Sequence, residues 1–287
     1  MGADTEQRAS EREWDGHLLL LHGTEPERRA RLARWVRRGL EREEKVVYAE
    51  DVSAVPRQAS LATVLREQGI DVDEAVLEGR LQVLPPREFY PPGAVTELAR
   101  RAVAEGHRGV RLSGQAASAA YPLDQHDHEK LERSIDRLCE SGLATSVLCQ
   151  YDTTATTGGA LRQAATAHVT GIRQRLLRTG TRGRDLVIAG EVDNSNDALL
   201  HEVLRAATET TRESVRLDLS RVSFISVAGW RALARGSERY RRRGGWLVLL
   251  AVQPGVARIA RLIGVDRLTR IRMVPAEGRV VPLRYAK

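Results

Sequence analysis

The sequence predicts an α/β chain built as two successive domains, and two observations carry this. Short apolar runs alternate with helix-like segments through roughly the first half of the chain, which implies parallel strands joined by right-handed helical crossovers, hence three layers. The apolar patterning then fades over RQRLLRTGTRGR (173–184) and restarts as a second, smaller strand–helix series. The 287 residues accommodate one large domain or two of ordinary size, and a 42% hydrophobic content is enough to bury a core.

HLLLLH (17–22) reads as the first strand. A helix follows at once: Thr24 can cap it, Pro26 sits at the favoured first helical position, and Glu27 completes a Thr-x-x-Glu capping box. Leu32, Trp35 and Val36 share the apolar face of this helix, which closes at Gly39. KVVYAE (45–50), RLQVL (80–84), GVRLS (109–113) and TSVLC (145–149) continue the strand series, separated by helices around 57–68, 94–105 and 126–141, and a further helix begins near 159. Past the fading stretch, DLVIAGEVD (185–193), SVRLDLS (214–220) and WLVLLAV (246–252) read as strands. Helices are expected over 196–211, from the segment VSFISVAGWRAL (222–233) to about 243, and over PGVARIARLIGV (254–265). The expected division is a disordered tail at 1–13, a first domain at 14–172, a linker at 173–184 and a second domain at 185–287.

Composition removes several function classes. No apolar run approaches the roughly 20 residues needed to cross a bilayer, and the polar, acid-containing N-terminus is unlike a secretory signal. Cys139 and Cys149 make neither a disulfide framework nor a metal cluster of their own. These features predict a soluble cytoplasmic protein with no membrane partner. The net charge of +7 comes almost wholly from dispersed arginine, with lysine only at Lys45, Lys130 and Lys287. Aromatics at 4% are too few for a base-stacking surface, and no helix-turn-helix stretch stands out, so nucleic acid is not the expected partner.

A parallel α/β sheet places its ligand site beyond the carboxyl ends of its strands. That rule nominates His22-Gly23-Thr24, Glu50-Asp51, Ser113-Gly114-Gln115 and Cys149-Gln150-Tyr151-Asp152. HGTEPE lacks the glycine run and lysine of a P-loop, and its two glutamates would repel phosphate. His126-Asp127-His128 suggests a metal at first sight, but residues two apart on a helix point away from each other, and a solvated helix start is the plainer account. Cys149 reads either as a reactive or ligand-contacting thiol or as a buried cysteine ending a core strand, and His17 carries the same two readings. No nucleophile–base arrangement or carboxylate pair stands out, so neither catalysis, nor a metal, nor a cofactor is expected.

DGHLLLLHGTEPE (15–27), GLEREEKVVYAED (39–51), LEGRLQVLPPREFYPP (77–92), GHRGVRLSGQ (106–115) and VLCQYDTT (147–154) together resemble the MEDS sensory domain, named after methanogens and methylotrophs. The resemblance implies a RecA-like fold without its ATP loop and the sensing of a small hydrocarbon-derived, hydrophobic ligand. It marks His17 and Cys149, with Tyr151 and Asp152 completing the strand-end motif. The chain departs from the pattern at Gln115, where a glutamate is expected, at Ala117 and Ser118, which replace bulkier residues, and at His22, where a tyrosine is usual. His22, Gln115, Cys149, Tyr151, Asp152 and His17 are therefore the candidate ligand-binding set.

GEVD (190–193), VRLDLSRVSFISVAGWRAL (215–233) and GGWLVLLAVQPGVARIARLIGV (244–265) resemble the STAS domain of anti-sigma-factor antagonists. Stand-alone members carry an Asp-Ser pair after the strand end, the serine being the phosphate acceptor. Here Phe224-Ile225 match the strand end and Gly229 the helix glycine, but Ser226 stands at the Asp position and Val227 at the acceptor. Valine has no hydroxyl, so the usual switch cannot operate at 227. Ser226 could itself take a phosphate, although an N-cap serine is the plainer role. Asp193, Ser223, Ser226, Val227 and Gly229 are the candidate partner-facing residues.

The expected function is a non-enzymatic signalling regulator whose partner is an anti-sigma factor or related switch kinase, with ligand or protein input to the first domain. Self-association is a further expected contact. The alternatives are a scaffold subunit of a larger stress-signalling assembly and a degenerate nucleotide-binding RecA-like protein.

Overall fold

A computed structural model describes residues 15–51, 60–115, 124–154, 158–209, 211 and 214–276. The expected tail at 1–13 and the departures Ala117 and Ser118 lie outside them. The chain divides into two compact units, 1–158 and 159–287.

The first unit holds β1 (His17–His22), α1 (Glu25–Glu41), β2 (Lys45–Ala49), α2 (Leu61–Glu67), α3 (Val72–Leu77), β3 (Leu81–Leu84), α4 (Pro86–Phe89), α5 (Ala94–Ala104), β4 (Val110–Gln115), α6 (Gln125–Glu140) and β5 (Thr145–Asp152). Its five strands pair in the order β1-β5-β4-β2-β3, all parallel. Alternation along each strand divides the core between two faces. Leu18, Leu20, Val46 and Tyr48 pack with α1, α2 and α3 on one side. Val47, Ala49, Val110, Leu112 and Val147 pack with α4, α5 and α6 on the other. The result is the three-layer parallel domain expected.

Local chemistry fixes the entry of α1 where the sequence indicated. Thr24 is the N-cap and its Oγ1 accepts from Glu27 N, while Glu27 Oε2 accepts from Gly23 N at 3.2 Å, one residue before the N-cap N–H that a capping box would use. Leu32, Trp35 and Val36 are buried on one face. At the opposite end of the sheet the guanidinium of Arg111 is wholly buried, paired with Asp15 and Glu44 and lying 5.2 Å over the Trp35 ring. A fully paired buried cation of this kind is structural.

The second unit opens with α7 (Gly158–Ala167) and continues through β6 (Ile172–Arg173), β7 (Leu177–Arg182), β8 (Asp185–Val192), α8 (Asp197–Glu209), β9 (Val215–Ile225), α9 (Val227–Gly236), α10 (Glu238–Arg242), β10 (Leu247–Val252), α11 (Pro254–Leu262) and β11 (Ile271–Pro275). The order is β6-β7-β8-β9-β10-β11; β8 to β11 run parallel and β7 is antiparallel to both neighbours.

Segment 173–184, expected to be a linker, is instead strand-forming. Leu177–Arg182 pairs along its whole length with β8, and Gln174 Oε1 accepts from the N–H groups of Leu176 and Leu177 to hold the preceding turn. Its exposed residues are arginine, threonine and glycine, the composition of a hairpin with one solvated face, which mimics a linker in one dimension. The two strand segments expected at 214–220 and 222–225 are one 11-residue strand, and the helix expected to reach 243 breaks at Ser237 into α9 and α10.

Candidate functional site

β1 and β5 lie side by side with Leu19 opposite Cys149 and Leu21 opposite Tyr151. The period-two alternation turns His17, Cys149 and Tyr151 toward α6 and turns His22, Gln150 and Asp152 toward α1. α6 presents Leu131, Ile135 and Leu138 to the core. On that same side, one turn apart, stand His128, Glu132 and Asp136. The buried Glu132 requires a partner, and the strands supply it, while the Asp136 carboxylate stays about half exposed.

His17 is the hub. Its Nδ1 lies 2.7 Å from Asp136 Oδ1, and its Nε2 lies 3.1 Å from Glu132 Oε2 and 3.6 Å from Cys149 Sγ. His128 Nε2 lies 2.8 Å from the Tyr151 hydroxyl and 3.3 Å from Glu132 Oε1. Glu132 is 5% exposed. Burial by itself would depress the His17 pKa, but the bonds to Asp136, Cys149 and Glu132 together outweigh it and hold it at about 12. Burial pushes the Cys149 thiol up to about 11, with the Glu132 charge adding to it, so the thiol is protonated near neutrality. Burial also raises Tyr151. Against this cluster opens a cavity of ≈ 20 Å³, lined by Tyr90, Gly114, His128, Leu131, Glu132 and Cys149 among others. That volume holds a water-sized molecule. Gly114 gives it shape, because a Cβ there would meet the Tyr90 hydroxyl at 2.3 Å.

The opposite face carries a separate polar network. Arg28 donates to Tyr48 OH at 3.1 Å, to Gln150 Oε1 at 3.3 Å and to Glu25, while Gln150 Nε2 donates to Ser113 Oγ at 2.9 Å. His22 is buried here, and burial, with the Arg28 charge second, depresses its pKa. Asp152 is exposed and its Oδ1 accepts from Thr154 N and Oγ1, a turn-forming role.

In the second unit the β9–α9 junction forms a second candidate surface. Ser226 N donates to Val192 O, and Ser226 Oγ accepts from Gly229 N at 3.1 Å as the N-cap of α9. Val227 follows as the first helical residue, 41% exposed, and Phe224 beside it is 46% exposed. Ser223 Oγ donates to Gly190 O. Asp193 Oδ1 accepts from Ser195 N and Oγ, bonds that hold its carboxyl below the usual range.

The sequence of the first unit and its continuation matches the family model of the methanogen/methylotroph, DcmR sensory domain, MEDS, over residues 16–169. The chain belongs to the MEDS family. A second match, to the Mlab, STAS domain, covers residues 177–275. No curated protein matches the chain. Among solved structures, a candidate anti-sigma factor antagonist from Thermotoga maritima is 18% identical over 33% of this chain and 85% of its own, with TM-score 0.29. The flagellar accessory protein FlaH from Methanocaldococcus jannaschii is 11% identical over 60% of this chain and 75% of its own, with TM-score 0.40. A sensory domain followed by a STAS domain makes the chain a signalling regulator of the STAS kind. No helix among the described residues is long and apolar enough to cross a membrane.

Of the six residues expected to bind ligand in the MEDS domain, the structure gathers His17, Cys149 and Tyr151. It places His22 and Asp152 on the other face of the sheet, because a strand position of opposite parity points the other way. The side chain of Gln115 lies outside the described residues. His128, expected in a solvated helix start, faces the cluster; His126 and Asp127 are exposed, and Asp127 N donates to the N-cap Asp124. Glu132 and Asp136 were missed altogether. The available signal was acid and histidine recurring every fourth residue among Leu131, Ile135 and Leu138. In the STAS domain, Gly229 is a packing residue and no contact surface: it is buried, and a Cβ there would sit 2.6 Å from Val192 Cγ1.

Proposed function

We propose that the chain is a non-enzymatic regulator whose STAS domain docks on an anti-sigma factor or related switch kinase without being phosphorylated, while the MEDS domain supplies the input. The β9–α9 junction carries this reading. Its acceptor position holds the exposed aliphatic Val227, and the neighbouring Ser226 hydroxyl is committed to capping α9. In a phosphorylated relative, a group of about −1.5 to −2 charges arriving at this helix end would eject an acidic partner. Here Phe224 and Val227 offer apolar contact instead, so occupancy is set by shape and by the abundance of the partners.

The MEDS input is a molecule small enough for the cavity beside Cys149 and Tyr90. Such a molecule alters docking only through unequal affinity for docking-competent and docking-incompetent states. Nucleotide chemistry is disfavoured by the β1–α1 turn. Glu25 and Glu27 occupy the first turn of α1, where an anion would sit, and Glu27 takes the Gly23 N–H that a phosphate would need.

The test is direct binding of the purified full chain to each anti-sigma factor and related switch kinase of its host by biolayer interferometry. At least one is expected to bind, with affinity reduced in Phe224→Ala. Binding to none of them contradicts the proposal.

A further inference from the structure

The donor atoms around His17 have the spacing of a coordination shell. Tetrahedral Zn²⁺, bound at about 2.0–2.1 Å to imidazole nitrogen, about 2.3 Å to thiolate and about 2.0–2.2 Å to carboxylate, separates nitrogen from sulfur by roughly 3.6 Å and nitrogen from oxygen by roughly 3.4 Å. His17 Nε2 lies 3.6 Å from Cys149 Sγ and 3.1 Å from Glu132 Oε2. All three donor atoms fall within 4.8 Å of one another. The three side chains come from β1, β5 and α6, so the packed fold brings the donors together before any ion arrives.

The surroundings are those of a ligand shell as well. A metal-bound histidine commonly gives its other ring nitrogen to a carboxylate that fixes its orientation. His17 does so through Nδ1 to Asp136 at 2.7 Å. The second oxygen of Glu132 is held by His128, itself joined to Tyr151. A cavity with room for one water-sized molecule adjoins Cys149 and Glu132. Imidazole, thiolate and carboxylate together suit a borderline-soft divalent ion such as Zn²⁺ and suit Mg²⁺ or Ca²⁺ poorly.

We propose that His17, Cys149 and Glu132 bind one Zn²⁺-class ion, Asp136 being a positioning residue. Loading exchanges protons for metal: the thiol and the imidazolium each release one proton, and the ion takes the lone pairs of Sγ and Nε2 together with a carboxylate oxygen of Glu132. A coordination position that these three donors do not fill takes water or one small oxygen- or sulfur-donor molecule. This deepens the sensing half of the proposed function, since the bound ion would be what the MEDS input ligand recognises.

The experiment titrates Co²⁺ into chelator-treated full-length protein and follows the thiolate-to-metal charge-transfer absorption and the intense visible bands of tetrahedral Co²⁺. One equivalent is expected to develop both, and Zn²⁺ to abolish them by displacement. Cys149→Ser removes the charge-transfer band, whereas Cys139→Ser, the other thiol, keeps it. Asp136→Asn keeps the band with affinity lower by roughly 10–100-fold, as loss of an outer carboxylate does; a structural role alone would not move that affinity. A folded wild-type chain that develops no charge-transfer band overturns the proposal, as does a band that survives Cys149→Ser or is lost in Cys139→Ser. A chain that takes up no metal yet still holds its STAS partner removes the metal site and leaves the docking proposal standing.

Discussion

The proton on His17 makes the metal-free MEDS domain sensitive to alkali. In the folded chain His17 holds it up to about 12, against an ordinary value of 6.5. A raised folded pKa means that the associated stability is complete below about 6.5 and drains away as pH climbs toward 12. Within that window the folded state binds one more proton than the unfolded one, so unfolding free energy falls by about 1.4 kcal/mol per pH unit. From about pH 7 to 8.5 the loss is roughly 2 kcal/mol, or about 1 M in urea midpoint for a slope near 2 kcal/mol/M. Cys139 and Cys149, both raised to about 11 from 9.0, add loss of the same sign only above about 9. The two cysteines lie in the first unit, so thiol trapping reports its unfolding separately from the STAS domain. The assay equilibrates chelated protein in urea at each pH, then applies a brief labelling pulse at one fixed pH. The midpoint is expected to fall with pH in wild type and to flatten in His17→Gln between about pH 7 and 8.5. A flat wild-type profile, or an unchanged slope in the variant, refutes the charge assignment at the hub.

Three further outcomes follow from the STAS domain. Phe224→Ala is expected to weaken partner binding roughly 30-fold by interferometry: the residue is 46% exposed, and burying roughly 90 Å² of apolar area contributes about 2 kcal/mol. Ser226→Ala loses the cap of α9 and lowers stability by about 1 kcal/mol in urea, whereas Ser226→Asp, which also caps, does not. Gly229→Ala drives a methyl into Val192 and Ile225 and is expected to cost about 1–3 kcal/mol, read as a lowered Tm; an unchanged Tm would mean α9 sits elsewhere.

The layers of the MEDS domain were legible because its strands are continuous apolar runs and its helices carry capping residues, as at Thr24 and Glu27. The STAS half was legible in the same way from β8, β9 and β10. Segment 173–184 was not, since a strand with a solvated face of arginine and threonine has the composition of a connection. Short α3 and α4 escaped because six and four residues show no helical period. At the site, His17 and Cys149 were visible as chemistry in strands, but strand-end motifs give no parity, so His22 and Asp152 were grouped with them although they face the other way. Glu132 and Asp136 belong to a helix whose buried side is decided by packing, and only the assembled sheet shows that their charges meet His17.

The most direct test of the docking account is to form the proposed complex between the full chain and an anti-sigma kinase, add Mg²⁺-ATP, and follow release together with intact mass. The account predicts a complex that persists and a chain whose mass does not change. Release accompanied by a phosphate mapped within residues 223–226 would contradict it.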